Sequence, residues 1–190
     1  MRSDGQANRD RILDAAEDVF GRGGATASTE EVARLAGVGI ATVFRHFPTK
    51  AALLQAVLIR RYDRLRAEAE ALHDTGDPGA AFYGFFRHLV ADAPAKITIG
   101  EALLDAGGDT GGEAHQAANG LRGAVGVLLR RAQSAGAVRD DVELPEVYAL
   151  LVATSRTTAL DDEVRARMLT IVFAGLAPLA AASDQPGALS

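Results

Sequence analysis

Three basic side chains and two aromatic rings crowd the segment GVGIATVFRHFPTK, residues 37–50: Arg45, His46 and Lys50, interleaved with Phe44 and Phe47. Arginine can bond guanine bidentately in the major groove of DNA, and small apolar side chains can touch a thymine methyl. An ammonium in the first turn of a helix adds a formal charge to free amides and a dipole end that already favour phosphate. The chemistry on offer is therefore polyanion binding. Little in the sequence suggests catalysis instead. His46, His73, His88 and His115 form no H-x-x-x-H pair, and neither a nucleophile elbow nor a phosphate-cradling loop occurs. GGDTGG (107–112) lacks a lysine and follows a helical pattern, so it reads as a connection. Asp140–Asp141 and Asp161–Asp162–Glu163 fall where helices are expected to begin, and capping accounts for them. No cysteine is present, which excludes disulfides, thiolate zinc sites and a cysteine nucleophile. We expect no catalytic residue, no metal and no cofactor.

Helical periodicity must position these groups, because no run alternates in the manner of a strand. RDRILDAAEDVFGRGG puts Ile12, Ala16, Val19 and Phe20 on one face and stops at Gly23–Gly24. Ser28 opens a second helix with capping-box spacing to Glu31, and Val32, Ala33 and Leu35 form its inner side. Gly37 suits the left-handed turn that ends it. A third helix runs from about Gly39 to Phe47 and halts at Pro48. Thr49 caps a fourth, with Lys50 in its first turn. That helix is long, and Leu54, Leu58, Leu65, Ala69 and Leu72 keep one apolar stripe until HDTGDPGA breaks it.

A short helix followed by a glycine-containing turn and another helix is the layout of a helix-turn-helix unit. Val38, Val43 and Phe47 fall where they can pack on Val32 and Phe20. At about 100° per residue, Arg45 then points outward, flanked by Ala41 and Thr42, with Ile40 and Phe44 at one shoulder and His46 at the other. The charge distribution agrees with a basic head. Residues 1–66 balance at +3 and residues 67–190 at −8, against −5 for the chain of 190 residues.

RILDAAEDVFGRGGATASTEEVARLAGVGIATVFRHFPTKAALLQAV resembles the N-terminal DNA-binding domain of the TetR family of bacterial transcriptional regulators. The likeness covers about residues 9 to 57, through AA..VF...G, VA..AGV and T.F.HF..K.AL. It implies that Ile40, Ala41 and Arg45 approach bases, while Thr42, Phe44, His46 and Lys50 contact phosphate. Ser28 and Thr29, at the start of the second helix, join the phosphate set, and Gly39 and Thr49 begin the two helices that follow. Phe44 stands where tyrosine is more usual, so a phenolic bond to phosphate is lost. Gly39 stands where a serine often caps, a change worth a few tenths of a kcal/mol. Beyond residue 57 the resemblance is one of helical layout only.

The fold class expected is all-α with about nine helices: a helix-turn-helix DNA-binding domain over 1–50 and a helical ligand-binding and dimerisation domain over 51–190. Its helices cover about 80–91, 96–105, 113–135, 145–158 and 161–181. The family likeness implies a homodimer and a small-molecule effector. One recognition helix reads few base pairs, so two copies must share a palindromic operator on double-stranded DNA. The last two helices are apolar enough to form the dimer surface, with Val147 and Leu151 on one and Val164, Met168, Ile171, Gly175 and Leu179 on the other. Phe82, Phe85, Phe86, Leu103 and Leu104 could line a pocket with Leu121, Val125, Leu128, Tyr148 and Ser155, or could simply be core. Thr154, Arg156 and Thr158 could add polar contacts. An apolar lining points to a largely hydrophobic effector. The polar start MRSDGQANRD carries no secretory signal, and the longest apolar run is too short to span a bilayer, so a soluble cytoplasmic protein is expected. The expected function is a ligand-responsive repressor. The alternative is a small-molecule-binding or interaction module of the same fold without DNA-binding function.

Overall fold

A computed structural model describes residues 2–74, 76–156 and 161–178. All of its regular structure among these residues is helical: α1 (Arg2–Gly23), α2 (Thr29–Ala36), α3 (Ile40–His46), α4 (Lys50–Ala71), α5 (Pro78–Asp105), α6 (Gly112–Ser134), α7 (Leu144–Ser155) and α8 (Asp162–Leu176). Local signals set most boundaries. Ser28 accepts from the Glu31 amide at 3.1 Å, Thr49 from Ala52 at 3.0 Å, Asp77 from Ala80 at 3.0 Å and Asp161 from Val164 at 2.8 Å. At Ser28 only this forward half of the capping box forms among the described residues; the reciprocal box appears at Glu143 and Glu146, ahead of α7. Asp140–Asp141 caps nothing, and Asp141 instead pairs with Arg139.

Eight helices stand where about nine were expected, because the two expected over 80–91 and 96–105 are one. Pro94 lies inside α5 without ending it. A proline there removes one backbone bond and crowds the turn before it. The helix continues because its two ends are held in different cores. Phe82, Phe85, Phe86, Leu89 and Val90 belong to one, Ile99, Ala102 and Leu103 to the other. α4 bridges the same pair. Leu53, Leu54, Val57 and Leu58 pack with α1, α2 and α3, while Leu65 and Ala69 pack with α5 and α6. The head's apolar set is as the spacing requires: Ile12, Ala16, Val19, Phe20, Val32, Val43 and Phe47 are all buried. Leu35 is the exception, being exposed, with Ala36 buried in its place.

Between the two cores lies a layer of charge. Arg61 of α4 donates from Nε to Asp92 Oδ2 of α5 at 3.0 Å and from Nη1 to Glu17 Oε1 of α1 at 2.6 Å. Its second terminal nitrogen reaches Asp92 Oδ1 at 2.5 Å. Arg64 adds 2.8 Å and 3.1 Å bonds to Glu17, and that hydrogen bond holds its guanidinium above its ordinary pKa. Three helices are therefore locked to one another by a single ion network.

Candidate nucleic-acid interface

The turn between α2 and α3 is made by Gly37, whose φ of 66° is left-handed and whose position has open space around it. Its amide and that of Val38 bond back to α2, closing the helix end at 3.3 Å and 3.0 Å. Val43 and Phe47 then anchor α3 from beneath. With that face fixed, Ile40, Ala41, Phe44 and Arg45 are exposed, Ile40 at 36% and Phe44 at 41%. Apolar side chains of this size are left in water on a helix that also presents an arginine. Arg45 has no ion-pair partner among the described residues. Gly39 precedes α3 in an extended conformation and gives no side-chain cap, so the Ile40 and Ala41 amides are left uncapped while Thr42 donates to the Gly39 carbonyl at 2.8 Å.

Other expected contacts sit differently. Thr42 and Ser28 are half-buried, and Thr29 is buried, with its hydroxyl 3.4 Å from Glu30. The half-buried His46 leaves Nε2 without a hydrogen-bond partner. Lys50 differs most from expectation. Its Nζ donates to the carbonyls of Ala25 at 2.8 Å and Ala27 at 2.7 Å, and lies 5.6 Å from the Phe20 ring centre. It clamps the start of α4 to the α1–α2 connection and keeps one N–H for any phosphate. Sequence reasoning missed this because the partners are 23 and 25 residues away and are backbone atoms. It also missed Arg9, whose guanidinium carbon lies 5.3 Å from the Phe47 ring centre and brings another cation to the foot of α3.

In the body, a half-open cavity of about 720 Å³ lies between α5, α6 and α7. Three of the ten residues expected in a pocket line it: Leu121, Tyr148 and Ser155. Phe82, Phe85, Phe86, Val125 and Leu128 meet instead in a contact with no room for water, and Leu103 belongs to the head core. Leu104 is exposed. The cavity's other wall is the stretch around Pro94, Lys96, Ile97 and Thr98 that the sequence reading had split between two helices. APAKITI (93–99) places one lysine in an apolar run, the available signal. Tyr148 Oη is buried without a hydrogen-bond partner, and burial pushes that phenol up to about 12. Thr154 bonds back to the Leu150 carbonyl at 2.7 Å, and Thr158 lies outside the described residues.

Of the residues expected at a dimer surface, Val147 and Leu151 are buried in the chain's own core. That packing accounts for one face of α7; on another, Val152 is exposed. Val164 and Met168 are half-buried, Gly175 is exposed, and Ile171 is 73% exposed. Leu179 lies outside the described residues. No helix among the described residues is long and apolar enough to cross a membrane, and no three metal-ligating side chains converge.

A short exposed helix behind a glycine turn, seated on its own core and rooted in a larger helical body, defines a helix-turn-helix DNA-binding protein. Residues 12–57 match the sequence model for bacterial regulatory proteins of the tetR family, and residues 77–178 match that for the C-terminal domain of SbtR-like transcriptional regulators. The chain belongs to the TetR family of transcriptional regulators, a family of regulators rather than enzymes. It is 37% identical to a TetR transcription regulatory protein from Mycobacterium vanbaalenii, covering 93% of this chain and 98% of that one at a TM-score of 0.78. The TetR regulator SCO0520 from Streptomyces coelicolor is 33% identical, over 90% and 99% of the two chains, with a TM-score of 0.76. The HTH-type transcriptional regulator SAR0097 of Staphylococcus aureus is 35% identical over 71 residues, a match to 36% of this chain and 37% of that protein's length.

Proposed function

We propose that this chain acts in the cytoplasm as a homodimeric repressor, released from a palindromic operator by a small, largely hydrophobic effector. One observation carries the reading. The helix exposing Ile40, Ala41 and Arg45 leads directly into a long helix, itself clamped to the head by Lys50, that continues into a body containing a cavity of about 720 Å³. Cavities of that size accommodate drug-sized ligands. Two heads reading adjacent major grooves must stand about 34–36 Å apart. An effector preferring the conformer with wrongly spaced heads weakens DNA binding, and the coupling is reciprocal. The exposed Ile171 on α8 supports a subunit contact there.

Selection of binders from random duplexes with the purified full chain tests this. A palindrome with two half-sites is expected. No enrichment at low salt, where phosphate contacts are strongest, would leave only a binding module of the same fold.

A further inference from the structure

The cavity described above is apolar over most of its wall, yet two polar groups interrupt it. Lys96 enters from α5, half-buried, and its ammonium pairs with no carboxylate among the described residues. Tyr148 enters from α7, with its hydroxyl buried and unsatisfied. Tyr62 of α4 joins them: its ring centre lies 5.9 Å from Lys96 Nζ, and it is within electrostatic reach of Tyr148. A buried donor without an acceptor is costly, and a half-buried ammonium without a counter-ion costs more.

We propose that the effector is an amphiphilic organic acid whose apolar body fills this cavity and whose single carboxylate is received by Lys96 and Tyr148, the Arg61 network carrying its effect to the head. The proposal rests on the ligand-responsive reading above and names its ligand class.

Both partners are donors in their ordinary states. Burial lowers the Lys96 pKa, opposed by Asp92, so an arriving anion supplies the counter-charge that the site lacks. Tyr148 stays protonated and can donate. Asp92 does not serve as that counter-ion because both its oxygens are held by Arg61. Glu101 and Arg156 also line the cavity, but both are exposed and of opposite sign. One half-buried positive charge in the lining suits a monoanion; a phosphate dianion would require more. A cation would meet the ammonium directly.

The route to the head starts at the same lysine. Lys96 sits within the field of both Asp92 and Arg61. A carboxylate bound at Lys96 repels Asp92 and attracts Arg61, and Arg61, with Arg64, ties α4 to Glu17 of α1. The anion therefore acts on the layer between the two cores.

The test is titration of the full chain with octanoate, octan-1-ol and octylamine, and with 2-naphthoate and 2-naphthalenemethanol, followed by calorimetry and thermal melting. Each acid should bind about 10- to 100-fold more tightly than its neutral analogue, the range for a buried charged hydrogen bond. Lys96→Met should abolish that preference while leaving alcohol affinity within about twofold, and Lys96→Arg should restore part of it. Equal affinity for acid and alcohol in both series overturns the proposal, as does a loss in Lys96→Met that is the same for both. Glu17→Gln, checked for folding by its melt, should bind acid normally but lose most of the acid-induced fall in operator affinity; an unchanged fall overturns the route. Operator binding without any acid is measured alongside. Its absence would sink the DNA-binding reading without touching the acid preference.

Discussion

Arg45 holds five N–H donors on an exposed face of α3 with no carboxylate to restrain them. Its outward direction was legible from helical phase alone once Val43 and Phe47 were assigned inward. Arg45→Ala should change base preference at one position per half-site and cost about 1–3 kcal/mol, read by titrating selected and singly altered duplexes. Lys50 teaches the opposite lesson. Its place in the first turn of a helix was legible, but its two carbonyl partners arise only when α1, α2 and α4 dock. Lys50→Met should therefore do more than weaken DNA binding uniformly. Loss of two charge-assisted bonds should destabilise the fold by about 1–3 kcal/mol, seen as a lower midpoint in urea without DNA. Phe44 is 41% exposed where the family resemblance leads one to expect tyrosine. Phe44→Tyr should tighten binding to all duplexes alike, by about 0.5–1.5 kcal/mol, with operator preference unchanged in competition against random DNA.

At the scale of elements, the caps at Ser28, Thr49, Asp77 and Asp161 were readable because they depend on two or three neighbouring residues. The length of α5 was not. Proline is a local signal, and here a non-local one wins: burial of Val90 and Ala93 on one side and Ile99 and Ala102 on the other holds the helix in register across Pro94. Splitting that helix also separated Lys96 and Ile97 from Leu89 and Ala93, which line the same cavity, so half its wall went unread. The missing amide at Pro94 is a weak point in the element that joins cavity to head. Pro94→Ala should restore a backbone bond and raise stability by up to about 3 kcal/mol, measured by chemical denaturation. A stiffer α5 should also reduce the effector's influence on operator affinity.

The molecule as a whole is two apolar cores separated by a polar layer, with α4 and α5 passing through both. The apolar stripe of α4 was visible in the sequence, and the buried Arg61 falls within it, between Leu58 and Leu65. Nothing local reveals that Glu17 and Asp92, 44 and 31 residues distant, converge on that one guanidinium. Asp92 is 6% and Glu17 15% exposed at the side chain, so neither can turn to water if the arginine is removed. Arg61→Leu should cost about 3–5 kcal/mol, because it strands the buried Asp92 carboxylate while Glu17 keeps Arg64, rather than because the ion pair itself is strongly stabilising. Pairing it with Asp92→Leu should recover much of the loss, since both desolvated charges then disappear. Denaturant titration of the two single variants and the double variant decides the matter. Additive losses would mean the network is solvated. Recovery would mean that a head and body which could have shared one apolar core are instead joined through a charge layer that an anion can perturb.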